Sequence, residues 1–404
     1  MSMKASYQVK LLATAVLGLS TVSPSHAEQA DSVSSMFSNG KAALSFRYRF
    51  ENVDQDGIAK AANASTLKTR LNYTSASYNN VTFFTEMDNV TVIGSERYRT
   101  PSNGKTDYAI VADPDGSDIN QAYLRYKTDG FNATVGRQRI NHAGQRFVGG
   151  VGWRQNEQTY DALSFNMPSK TGVSVSYNYL WKINRIFGPK DSAAQANNWD
   201  SNSHALLAKY SLAENHQLSA YAYILDFDEA AANSSSTYGI DYKGSFGRVT
   251  VAAAYATQSD NADNPTSYSA DYISAEIAIK LKPVKISVGY ELLGSDDGKA
   301  AFKTPLATLH KFQGWSDKFL NTPATGVEDT YVKIVGKAGK VSLLAIYHEF
   351  SADQGGADYG SEWNVAATYP LHKNVTAQLK YAAYSADSFA SDTDKAWLTM
   401  NIKF

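Results

Sequence analysis

The densest run of chemically capable side chains is GRQRINHAGQRFVGGVGWRQNEQTYDA, residues 136–162, which sets Arg137, Arg139, Arg146 and Arg154 around Gly144, Gly149, Gly150 and Gly152. A guanidinium presents two parallel N–H donors to a carboxylate or phosphate, so four of them on a bendable segment point to holding an anion. The competing reading is that they pair with Glu157, Asp161 and other carboxylates and merely stiffen a wall. Bond-making chemistry has little support elsewhere. The seven His are scattered, and no GxSxG, HExxH or paired-Cys signature occurs. His348 beside Glu349 is the nearest approach to a catalytic pair, and it falls near a strand end where a polar pair needs no catalytic role. The chain is therefore read as a non-enzyme that needs no cofactor. DPDGSD, residues 113–118, gathers Asp113, Asp115 and Asp118 around a glycine as a conceivable Ca²⁺ loop. It lacks the distal Glu that completes such a loop, so a solvated acidic connection is preferred.

A second segment, AFKTPLATLHKFQGWSDKFLNTP at 301–323, is unusually apolar for a connection. Leu306, Leu309, Phe312, Trp315, Phe319 and Leu320 recur at intervals of three and four, which predicts a short amphipathic helix capped near Thr304 with Pro305 in its first turn. Packed against a wall, it would narrow or gate a passage through Leu309, His310, Phe312, Trp315 and Phe319. The alternative is a hydrophobic plug for a partner protein.

The elements that must carry these segments show a period of two. In KAALSFRYRFE, residues 41–51, Ala42, Leu44, Phe46, Tyr48 and Phe50 share one parity, while Ser45, Arg47, Arg49 and Glu51 share the other. The last segment, 396–404, repeats this and puts the terminal Phe404 on the apolar face. Between them lie strand-like runs of about 9 to 11 residues, the length that crosses a bilayer as a tilted strand. They are joined alternately by short turns, as at Asn79 and Asn80, and by long connections, of which 294–327 is the longest. About eighteen strands result, an even number with both ends on one side. The fold class expected is all-β: a transmembrane antiparallel β-barrel with a long loop folded inward.

Composition agrees. Zero Cys excludes disulfide scaffolds and thiol or zinc-thiolate sites, and a net charge of -1 gives no general surface for nucleic acid. Past the N-terminus no apolar run is long enough for a spanning helix. Tyr at 26 and Phe at 17 suit aromatic girdles at the two membrane interfaces. Lys4 and Lys10, the apolar run from Leu11 to Val22, then Pro24, Ser25, His26 and Ala27 read as a signal peptide at 1–27, cleaved to leave 28–404 as one barrel domain. Only Glu28 to Gly40 precede the first strand, too little for the plug of an energised receptor.

With the apolar parity facing lipid, Arg47, Arg49, Lys68, Arg70, Arg125 and Lys127 face the lumen together with Glu51, Glu86 and Asp88. Basic groups outnumber acidic ones there, and passing anions would be favoured.

RYRFENV, LKTRLNYTSASYNNVTFFTEMDNV, the arginine-glycine segment and KTPLATLHKFQGWSDKFL together resemble the alginate-export family of outer-membrane porins. The resemblance implies an eighteen-stranded barrel in the bacterial outer membrane, both termini periplasmic, with a basic lumen for an anionic polyuronate. It implies Arg47, Arg49, Arg70, Arg125, Arg137, Arg139 and Arg154 as solute guides, to which parity and clustering add Lys68 and Arg146. The expected function is passive or facilitated diffusion of small anions or uronate-type oligosaccharides, with a non-selective diffusion porin as the alternative. Expected partners are outer-membrane lipid and lipopolysaccharide, the barrel-assembly machinery through Phe404, and the solute.

Overall fold

A computed structural model describes residues 29–169, 172–190, 192 and 195–404, so the signal read at 1–27 lies outside the described residues. The first half of the wall is β1 (Lys41–Gln55), β2 (Ala62–Thr74), β3 (Val81–Val92), β4 (Gly116–Lys127), β5 (Asn132–Gln138), β6 (Thr159–Met167), β7 (Val173–Asn184), β8 (Asn198–Ala213) and β9 (His216–Leu225). The second half is β10 (Ser235–Phe246), β11 (Val249–Asp260), β12 (Ser269–Leu281), β13 (Val284–Leu293), β14 (Val327–Ala338), β15 (Val341–Ser351), β16 (Asp358–His372), β17 (Val375–Ala386) and β18 (Thr393–Lys403). Each strand pairs antiparallel with its sequence neighbours in one sheet of 18 strands. β1 and β18 pair from Ser45↔Lys403 to Gln55↔Thr393, which closes the sheet. Closure is required in hydrocarbon, where an open edge would leave a row of unpaired backbone groups, each costing several kcal/mol.

The two faces invert the pattern of a water-soluble protein. Leu71, Leu124, Ile240, Ile277 and Leu379 are each about half exposed on the outside, while Arg49, Lys68, Glu86, Asp88, Asp329 and Glu362 are buried inside. An apolar surface this continuous is stable only against lipid. The sequence parity thus places its faces correctly. Phe404 stays on the outer face, its backbone N–H donating to Leu44 O at 2.9 Å and its ring edge-on to Phe46.

The nine longer connections, L1 to L9 in chain order, leave one end of the barrel, and short turns close the other. A helix α1 (Val33–Ser38), with Ser32 as its N-cap, seats Met36 beside Ala76 at the turn end. L2 (93–115), L3 (139–158) and L7 (294–326) fold back into the barrel.

L7 differs from expectation. Instead of an amphipathic helix it holds a small hairpin, Ser295–Asp296 with Ala300–Ala301, and a three-residue 3-10 turn, Leu309–Lys311. Its backbone groups bond partly within short turns, Ala307 N–H to Thr304 O at 3.1 Å and Phe312 N–H to Leu309 O at 2.9 Å, and partly to L3: Gly149 N–H donates to Leu306 O at 2.8 Å and Thr308 N–H to Gln145 O at 3.0 Å. Positive φ at Gln313, Gly314 and Asp317 then prevents helix propagation. The apolar spacing is real, but tertiary contacts on several sides satisfy it.

Candidate functional site

The arginines gather as expected, on the β1–β5 wall and on L3, and most are neutralised. Arg70 makes a bidentate pair with Asp88 at 2.7 and 2.6 Å and reaches Glu157 at 2.8 Å. Arg139 pairs with Glu157 and, at 3.0 Å, with Glu86. Lys68 lies 3.3 Å from Glu157 and 3.8 Å from Asp88. Burial would raise the Glu157 carboxyl, but Arg139, Arg70, Lys68 and Arg47 outweigh it and hold its pKa well below the ordinary value. Arg137 pairs with Asp161 at 2.8 Å. Arg49, buried, donates to Trp153 O at 2.7 Å and lies 3.8 Å from Asp113. Arg47 and Arg125 differ, making no ion pair among the described residues. Arg47 donates to Gly152 O at 2.9 Å and Asn401 Oδ1 at 3.1 Å, and Arg125 to Thr134 Oγ1 at 3.1 Å.

Arg146 and Arg154 fasten L3 to L7 and to the wall. Arg146 donates to Glu291 Oε1 at 2.7 Å, Thr304 Oγ1 at 3.0 Å and Gln313 Oε1 at 3.2 Å, with its guanidinium over Phe312 at 4.6 Å. Arg154 joins Glu51 of β1 at 3.2 Å to Asp317 of L7 at 3.3 Å. Asp317 also accepts from Lys395 at 2.7 Å and lies 2.8 Å from His310 Nδ1. Burial would raise its carboxyl, yet Lys395, His310 and Arg154 keep the pKa well below the usual range.

The five loop residues expected to constrict the passage lie inside the barrel, without forming one face. Leu309 and His310 belong to the 3-10 turn, Phe312 lies under Arg146, and Trp315 is buried on β16. Gly314, at φ +78, brings the chain so close to Glu362 that a Cβ there would overlap the carboxylate. Glu362 Oε1 accordingly accepts from Trp315 N–H at 2.5 Å and Ser316 N–H at 2.9 Å. Phe319 packs apart from the rest, on Phe350 at 4.7 Å and Phe389 at 5.3 Å.

The acidic run does not converge on a cation. Asp113 is buried and accepts from Gln155 N–H at 2.8 Å, Asp115 pairs with Lys190 at 2.7 Å, and Asp118 faces Arg137 at 3.7 Å. Among the described residues no three potential ligands come together. His348 is buried against Asp329 at 2.9 Å, and Glu349 lies on the opposite parity.

A second basic surface escaped the sequence reading. Lys209, Lys243, Lys285 and Lys333 occupy inward positions of β8, β10, β13 and β14. Lys311 of L7 approaches them: burial lowers its pKa, and Lys333 and Lys243 lower it further. Lys333 pairs with Glu276, whereas Lys209, Lys243, Lys285 and Lys311 make no ion pair among the described residues. Parity alone would have placed these lysines inside, since each alternates with apolar neighbours. Their scatter along the chain, unlike the compact arginine motif, hid the cluster.

A closed eighteen-stranded barrel with a polar interior and inward loops defines the outer-membrane porin fold. Solved structures agree. Acinetobacter baumannii OccAB4 superposes with a TM-score of 0.70 at 13% identity, over 90% of this chain and 98% of that one. Pseudomonas aeruginosa OpdO gives 0.68 at 15%, over 92% and 98%. Pseudomonas aeruginosa OpdK, solved with vanillate, gives 0.69 at 12%, over 91% and 99%. The chain belongs to the alginate export family, whose profile matches residues 40–264. That match includes the arginine-glycine segment and stops before L7. No curated protein matches the chain.

Proposed function

We propose that this chain is an outer-membrane porin that passes small anionic, carboxylate-bearing solutes, uronate-type oligosaccharides included, through an aperture set by L3 and L7. The observation that carries this reading is the set of inward cations that make no ion pair within 4.0 Å among the described residues: Lys209, Lys243, Lys285 and Lys311 on one side, Arg47 and Arg125 on the other. A fixed, unpaired cation inside a low-dielectric wall attracts an anion and repels a cation, and several spaced weak sites let the solute leave again. The paired arginines hold L3 in place. Arg47 and Arg125, of the guides first expected, keep that role, joined by the lysines. The vanillate of the OpdK structure is a carboxylate, which fits this chemistry.

In this reading the turn end and both termini face the periplasm, the end from which L1 to L9 leave faces outward beside lipopolysaccharide, and Phe404 presents the assembly signal. Liposome swelling with glucose and glucuronate, matched in size, tests the reading. Faster swelling with glucuronate supports it, and equal rates assign a non-selective diffusion porin instead.

A further inference from the structure

One lysine of the barrel wall touches both L3 and L7. Lys380 points inward from β17 and is 8% exposed. Its Nζ lies 3.7 Å from the ring centroid of Trp153 on L3 and 3.7 Å from that of Trp315 on L7. The ring of Trp397 on β18 is 5.0 Å away. Nζ is also 2.8 Å from His310 Nε2, and the His310 ring stacks on Trp153 at 4.4 Å with 7° between planes.

The hydrogen-bond roles follow from the partners. Asp317 accepts at His310 Nδ1, so Nδ1 carries the proton and Nε2 is left to accept from the Lys380 ammonium. An ammonium between two indole faces is attracted to both, most strongly when water is excluded. Arg49, Glu51, Arg154, Asp317 and Lys395 surround this group, but none of them touches the indoles of both loops.

We propose that Lys380 is a positioning residue that joins L3 and L7 into one gate, so that the aperture opens by release of both loops together. The two loops already share the backbone bonds between 145–149 and 306–308, and Glu291 of β13 accepts from both Arg146 of L3 and Gln313 of L7, so Lys380 is a second wall tie common to both. The inference does not depend on which ion the pore prefers.

Single-channel recording of the full-length protein in planar bilayers tests it, with heat-modifiable migration on gels confirming that each variant barrel is folded. Lys380→Met keeps chain length and removes the cation. It should raise the fraction of time in the high-conductance state about tenfold. Lys380→Arg, which retains a cation able to lie between indoles, should restore most of the wild-type behaviour. Unchanged gating in folded Lys380→Met overturns the proposal, as does failure of Lys380→Arg to rescue.

The chain has no Cys, so a Val148→Cys/Leu306→Cys pair can lock L3 to L7. If the loops move as one, oxidation leaves the conductance steps unchanged, and their loss on oxidation shows separate motion and overturns the proposal. Reversal potentials from the same patches report ion preference independently, so failure of the anion reading is distinguishable from failure of the gate.

Discussion

Acidification should loosen L7, and the size of the effect follows from His310. Burial first, then the neighbouring Lys380 ammonium, holds its docked pKa well below the ordinary 6.5, against a partial upward pull from Asp317. In a released, hydrated L7 the imidazole titrates near 6.5. The released form therefore binds more protons, and docking is at full strength above about pH 6.5 and lost as pH falls below it. Each unit below that point weakens docking about tenfold, until the docked pKa is reached. One unit of acidification in that range is worth about 1.4 kcal/mol. Asp317 stays ionised because Lys395, His310 and Arg154 hold its pKa well down, and Arg154 stays protonated. The assay is open-time fraction in planar bilayers at symmetrical pH from 7.5 to 5. Wild type should open progressively, and His310→Gln should be flat over the same range. Open time that is constant or falls on acidification, or a His310→Gln response equal to wild type, refutes the reasoning.

Two further outcomes are expected. Arg146→Met leaves Glu291 buried without its cation, a loss of about 3–5 kcal/mol in packing L3 and L7, visible as a lower calorimetric transition in detergent; an unchanged transition shows the pair carries nothing. Ile240→Arg, near the middle of β10 on the outer face, should cost about 2–4 kcal/mol in folding titrations into lipid vesicles, whereas a change near zero would place that face in water.

The fold was legible in the sequence because its rule is local. Alternation in KAALSFRYRFE and in the final segment fixes which side meets lipid, and turns such as Asn79–Asn80 carry their own signal in residues that tolerate positive φ. Strand ends were less legible, since β1 runs on to Gln55 and β8 begins at Asn198, beyond where hydrophobic alternation fades. The interior was least legible because its partners are distant in sequence. Arg154 meets Asp317 across 163 positions, and Arg146 meets Glu291 across 145. Pairing of Arg137 with Asp161 and of Arg139 with Glu157 lay within reach of the sequence as the competing reading, whereas the ties of Arg146 and Arg154 to Glu291 and Asp317 did not. The unpaired lysines, one on each of several strands, became a cluster only when the barrel closed. In L7 the spacing of Leu306, Leu309 and Phe312 matched a helix, yet hydrogen bonds to L3 determined the backbone.

The zero-current potential across a planar bilayer with a tenfold KCl gradient addresses the central claim most directly. Wild type should show chloride preference, and Lys243→Glu combined with Lys285→Glu should shift the potential towards potassium. Potassium preference in the wild type, or a double variant with an unmoved potential, would contradict the account.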